Sequence, residues 1–205
     1  MKELSLNLLD IAENSVKAGA TLIRMTLREA GNVLTMTVED NGCGMKPDFL
    51  RSVTDPFCTT RRTRKVGLGL PLLRLAAEQT GGSLTVESRH RDAFPDGHGT
   101  CVTACFHTDH IDCTPLGDTV STLWTLIQGS PEIDFVFLHE TPERVVRLDT
   151  RELRLELGAD IPLNTPAVLD SGLSPRAVRT AGCGQPRQVT LSLFLERKHT
   201  DEIIS

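Results

Sequence analysis

The six cysteines (Cys43, Cys58, Cys101, Cys105, Cys113 and Cys183) include no CxxC pair, and the N-terminus has no apolar core of a signal peptide. Together these absences make a reducing cytoplasm the expected home. No apolar run approaches the roughly 18 residues that a membrane-spanning helix needs, so a sensor carrying its own membrane anchor is not expected. Positive charge is not in excess either. A formal net charge of -5 argues against a general binder of nucleic acid or membrane surface, because the long-range field repels phosphate. Any anionic ligand must therefore meet a local basic cluster. Internal repeats and low-complexity segments are also missing. What remains is a chain of 205 residues with 39% hydrophobic content, enough for one large or two small cores.

Periodicity divides that chain. Leu4 to Ala18 carries apolar residues at helical spacing and stops at Gly19, with Asp10, Asn14 and Lys17 sharing the opposite, polar face. Thr21 to Arg28 and Leu34 to Val38 alternate around a turn at Ala30 to Asn32, which reads as an antiparallel hairpin. Pro47 to Val53 reads as a short helix, Thr54 to Lys65 as a loop, and Leu68 to Thr80 as a second long helix. Ser83 to Ser88 and Thr100 to Phe106 form a second hairpin, with Cys101 and Cys105 expected as small core residues.

After His107 the pattern restarts. Pro115 to Gln128 reads as a helix capped by Thr114, Ile133 to Leu138 and Arg144 to Leu148 as buried strands, and Asp149 with Glu152 as a capping box opening a helix to Leu157. Val189 to Leu195 alternates as a last strand. The expected class is α+β: an α/β sandwich with helices on one face of a mixed, mainly antiparallel sheet, spanning residues 1–107, followed by a smaller α/β module over 108–205.

The stretch from Asp40 to Leu70 concentrates the chemistry. A carboxylate at a strand end, followed by Gly42, Gly44 and Met45, can accept a hydrogen bond from an exocyclic amine while the glycines let a flat base approach the backbone. Gly67, Leu68, Gly69 and Leu70 open a helix whose unpaired amides and dipole suit phosphate oxygens. Between them stand Thr59, Thr60, Arg61, Arg62, Arg64 and Lys65, the positive charge that the acidic chain otherwise lacks.

The motifs ENSVKAGA (13–20), DNGCGM (40–45), DPFCTTR (55–61), GLGL (67–70) and GHGT (97–100), in that order, resemble those of the GHKL ATPases: gyrase, the heat-shock chaperone, histidine kinases and the mismatch-repair ATPase. The resemblance covers residues 1–107 and implies the Bergerat ATP-binding fold, with ATP and Mg²⁺ as cofactors. On that likeness Asn14 is the Mg²⁺ ligand, Lys17 a phosphate contact and Asp40 the reader of the adenine amine. Gly42, Gly44 and Met45 line the base pocket, Thr54 to Val66 forms the ATP lid, Gly67 and Gly69 its hinge, and Thr100 the hydroxyl behind the adenine. A hard oxygen donor such as Asn14 suits Mg²⁺, which takes one or two protein oxygens beside phosphates and water.

Asp10 stands where hydrolysing members and anti-sigma serine kinases carry a glutamate. It is one methylene shorter, which leaves two roles open: a general base for the attacking nucleophile, or a place beside the Mg²⁺. The GLGL box and lid resemble those of histidine kinases, yet only nine residues precede Asp10, so an orthodox histidine kinase is not expected. Residues 110–123 (HIDCTPLGDTVSTL), with IDFVFLHE and LDTRELRLELG, resemble the tail of small ATP-binding proteins found beside iron-only hydrogenase subunits in anaerobic bacteria. The expected partners are thus ATP or ADP and a protein, hydrogenase-related on that likeness, with residues 108–205 serving docking or homodimerisation. Three functions stay open: an ATPase switch in signal transduction, a protein kinase acting in trans on serine or histidine, and a non-catalytic nucleotide sensor.

Overall fold

The computed structural model describes residues 3–54, 69–157, 163–164 and 187–190. Helix α1 (Leu4–Lys17) leads into a hairpin of β1 (Leu22–Ala30) and β2 (Val33–Asp40), followed by α2 (Pro47–Thr54), α3 (Gly69–Gln79), β3 (Ser83–Arg89) and β4 (Gly99–His107). The chain continues with α4 (Thr119–Gly129), β5 (Asp134–Glu140), β6 (Arg144–Asp149), α5 (Thr150–Leu157) and β7 (Arg187–Thr190). The seven strands among the described residues lie in one sheet, ordered β3-β4-β2-β1-β5-β6-β7. The β1–β5 and β6–β7 pairings are parallel and the others antiparallel. The sheet thus crosses from the first segment to the second at β1–β5, where Ile23 pairs with Phe135 and Met25 with Phe137.

Alternation gives the sheet two unlike faces. One face carries Ile23, Met25, Leu27, Leu34, Met36, Val38, Val102, Ala104, Phe106, Phe135 and Phe137, all buried. Helices α1, α3 and α4 supply the matching residues Leu4, Leu8, Ile11, Leu73, Ala77, Leu123 and Leu126, so the molecule is an α+β sandwich with one helical layer. Each such large side chain contributes about 1.5–3 kcal/mol relative to exposure. The opposite face is polar, with Arg24 and Glu39 3.7 Å apart and Arg28 bonded to Glu140 at 2.7 Å.

Three expectations need correction. Cys101 and Cys105 do not belong to the core: register with Val102, Ala104 and Phe106 turns them to the open face, where they are half-buried. The α4 helix begins at Thr119, capped by Asp118, whose carboxylate accepts the Ser121 N–H at 2.9 Å. Residues 115–117 are unavailable to it, because the carbonyls of Pro115 and Leu116 accept the Leu4 and Ser5 N–H groups at 2.9 and 2.8 Å. Those amides are ones that a helix start leaves without internal partners. The box at Asp149 is also one-sided. Asp149 accepts the Arg151 N–H at 3.0 Å, while Glu152 turns to Arg147 at 2.7 Å. No helix among the described residues is long and apolar enough to cross a membrane.

Candidate nucleotide site

Strand register assembles the polar end of the core face. Ser88 pairs with Thr100, Thr100 with Asp40, and Asp40 with Ile23, so three polar side chains stand in one row where the apolar rows end. Helix α1 crosses above them and presents Ile11, Asn14, Ser15, Lys17 and Ala18. Between helix and sheet lies a cavity of about 480 Å³. Its lining also includes Cys43, Gly44, Met45, Lys46, Phe49, Val53, Leu70, His90 and Val102. That size falls within the range of small-molecule and cofactor pockets.

Asp40 is held at both oxygens. Oδ1 accepts the Gly42 N–H at 2.8 Å and Oδ2 accepts the Ser15 hydroxyl at 2.6 Å. Each carboxylate oxygen has a further lone pair, so the group can still accept a proton donor from the cavity. Thr100 is buried, and its hydroxyl lies 2.9 Å from that of Ser88. Ser88 Oγ accepts the Met45 N–H at 2.7 Å and donates to the Gly99 carbonyl at 3.0 Å. The hydroxyl thereby fastens the turn after Asp40 to the β3–β4 hairpin.

The glycines are required by contact. Gly44 sits at φ +67°, and a Cβ there would stand 2.0 Å from the Arg89 carbonyl oxygen. Gly42 has a negative φ but no room, since a Cβ would lie 2.9 Å from that of Ala18.

The structure brings Asn14, Lys17, Asp40, Gly44, Met45, Leu70 and Thr100 into one cavity lining, with Gly42 bonded to Asp40 behind it. Lys17 is exposed and pairs with Glu13 at 3.1 Å. Asp10 lies against the first residue of α3: a Cβ on Gly69 would be 3.1 Å from Asp10 Cβ and 3.7 Å from its Oδ2. It is not among the lining residues. Thr59, Thr60, Arg61, Arg62, Lys65, Gly67 and Leu68, with the segment from 55 to 66, lie outside the described residues.

Ser15, Ser88, Lys46 and His90 were not singled out from sequence. Ser15 and Ser88 left a readable trace, a polar residue inside an apolar stripe of α1 and one ending the Leu84, Val86 alternation. Lys46 and His90 left none.

An apolar slot bounded by a carboxylate, two lysines and the start of a helix suits a flat ring joined to an anion. Residues 2–110 match the family described as Histidine kinase-, DNA gyrase B-, and HSP90-like ATPase, and the chain belongs to that family. The tetrathionate sensor histidine kinase TtrS of Salmonella typhimurium is 31% identical over 116 residues, 56% of this chain and 19% of its own. The DNA mismatch repair protein MutL of Brucella abortus is 34% identical over 98 residues, 46% of this chain and 15% of its own. The chain thus spans a fifth or less of the length of the curated relatives it matches. Among solved structures, the Aquifex aeolicus MutL ATPase domain complexed with ADP aligns with a TM-score of 0.45 at 15% identity, over 68% of this chain and 61% of that one. Family membership supports ATP binding.

Proposed function

We propose that the protein is a Mg²⁺-dependent ATP-binding switch that reports its nucleotide state to a protein partner. The observation that carries this reading is Asp40, an acceptor-only carboxylate fixed by Ser15 and Gly42 at an apolar slot, with Asn14 and Lys17 on the helix above. The carboxylate accepts the adenine amine, Met45 and Val102 pack on the ring, and Lys17 and the start of α3 meet the phosphates. Among the described residues no group of three or more His, Cys, Asp or Glu could hold a metal alone. The donor set present is the Asn14 oxygen beside phosphate, which fits Mg²⁺ better than a softer ion. When bound, the ion neutralises phosphate charge.

The segment Thr54 to Val66 is the proposed lid, and residues 108–205 form the module that carries the nucleotide state to the partner. That partner is hydrogenase-related on the likeness of residues 110–123 together with IDFVFLHE and LDTRELRLELG, and the site of action is the cytoplasm. Asp10 orients water for slow hydrolysis. Phosphate release from Mg·ATP by wild type should fall at least ten-fold in Asp10→Ala, the loss expected when a general base is removed, with nucleotide still bound. Equal release by the two proteins sinks the hydrolytic role. The position of Asp10 beside Gly69, outside the cavity lining, favours a second reading, that of a sensor which binds without turnover. A third, a kinase acting in trans, is distinguished by γ-phosphate appearing on a partner protein instead of in solution.

A further inference from the structure

The turn that carries Asp40 is anchored by a side chain from the far hairpin. His98 Nδ1 lies 2.5 Å from the Gly42 carbonyl oxygen. A carbonyl only accepts, so Nδ1 carries a proton and donates it. The Gly42 carbonyl and the Cys43 N–H belong to one peptide unit, and that N–H donates to the Ala18 carbonyl at 2.9 Å. With both ends bonded, each bond polarises and strengthens the other. The peptide therefore bridges the β3–β4 loop and the C-terminal end of α1, the helix that carries Asn14, Ser15 and Lys17. Gly42 also donates its own N–H to Asp40 Oδ1 at 2.8 Å. Moving the peptide moves the carboxylate. The Arg91 N–H reaches the Cys43 carbonyl at 3.0 Å and the Asn41 side chain accepts the Thr21 and Leu22 N–H groups at 2.9 Å each, but neither contact engages the Gly42 carbonyl.

We propose that His98 is a positioning residue for base selection. By clamping the Gly42–Cys43 peptide it fixes the plane of the Asp40 carboxylate and so sets a preference for 6-amino over 6-oxo purine nucleotides. The inference rests on the reading that this cavity binds ATP through Asp40. An acceptor-only carboxylate gains a bond from an amine and faces lone-pair repulsion from a carbonyl, but only while its direction is held. Once the clamp is lost the carboxylate can turn aside, and the distinction between the two purines fades.

The test is titration of full-length wild type, His98→Ala and His98→Asn with Mg·ATP and with Mg·inosine triphosphate. His98→Ala should weaken ATP about ten-fold and inosine triphosphate by less than about two-fold, the loss belonging to one hydrogen bond that only the amine-bearing base requires. His98→Asn places an amide donor where Nδ1 stood and should restore the wild-type ratio. An unchanged ratio in His98→Ala, whether both affinities hold or both fall together, overturns the proposal, as does failure of His98→Asn to restore it. A measurement on the wild type alone covers the case in which a variant does not fold. Imidazole nitrogen NMR should find His98 protonated at Nδ1, and a bare Nδ1 contradicts the clamp. If the wild type binds no ATP, the reading of the cavity itself fails, and that is evident before any variant is compared.

Discussion

Asp40 is a base reader only in company. Its Oδ2 takes the Ser15 hydroxyl at 2.6 Å, and without that bond the carboxylate keeps one anchor instead of two. Ser15→Ala should weaken Mg·ATP about five- to ten-fold, the worth of one net hydrogen bond to a charged group, with the fold intact by circular dichroism. Calorimetric titration checks this, and unchanged affinity removes Ser15 from the site. Asp40 itself was legible because DNGCGM stands in order with ENSVKAGA, GLGL and GHGT; a carboxylate before two glycines is by itself more often only a turn. Ser15 falls within the apolar stripe of α1, and its task depends on how far α1 is rotated over the sheet. Sequence spacing does not encode that rotation. His98 stands inside the GHGT motif, but its contact was hidden for a similar reason, since its partner lies 56 residues away.

At the scale of elements, helix ends were the least legible parts. Thr114 and Pro115 have the residue types of a helix start, but the α1 amides claim the Pro115 and Leu116 carbonyls, and α4 starts at Asp118 instead. Local propensity gave way to a tertiary demand. The Ser121 hydroxyl and N–H hold the Asp118 carboxyl below its usual range. Asp118→Ala should cost about 1 kcal/mol of stability, and Asp118→Asn, which keeps an oxygen acceptor, much less. Urea unfolding separates the two. The strands were easier, because alternation in β1, β2 and β4 reports the core face directly. In β4 the second row, Cys101, Thr103 and Cys105, is small and only weakly polar, so its cysteines read as core from sequence alone. Burial and the glutamates around it raise the Cys101 thiol above its ordinary range.

Among the described residues one sheet joins the two segments at β1 and β5, and charged side chains fix the β6–α5 corner of the second. Asp149 is buried, and Arg151 bonds it through two nitrogens at 2.9 and 2.7 Å with Arg147 at 3.4 Å. Bonding to Arg151 lowers the Asp149 carboxyl relative to its unfolded value. Its contribution to stability is therefore fully present above the unfolded carboxylate range, around pH 4, and is lost as pH falls through the lower folded value. Asp149→Asn should unfold more easily near pH 7, and its deficit against wild type should shrink on acidification. A deficit that stays constant down to pH 2 contradicts this assignment. The partners stand two residues to either side of Asp149, so the pairing was hidden not by distance but by the strand-to-helix corner that turns Arg147 and Arg151 onto one carboxylate.

The most direct test of the central reading is calorimetric titration of Mg·ATP into wild type and Asp40→Asn under identical conditions. A site that reads adenine through this carboxylate predicts one-to-one binding by wild type and an affinity at least ten-fold weaker in the variant. Equal affinities, or no binding by wild type, would contradict it.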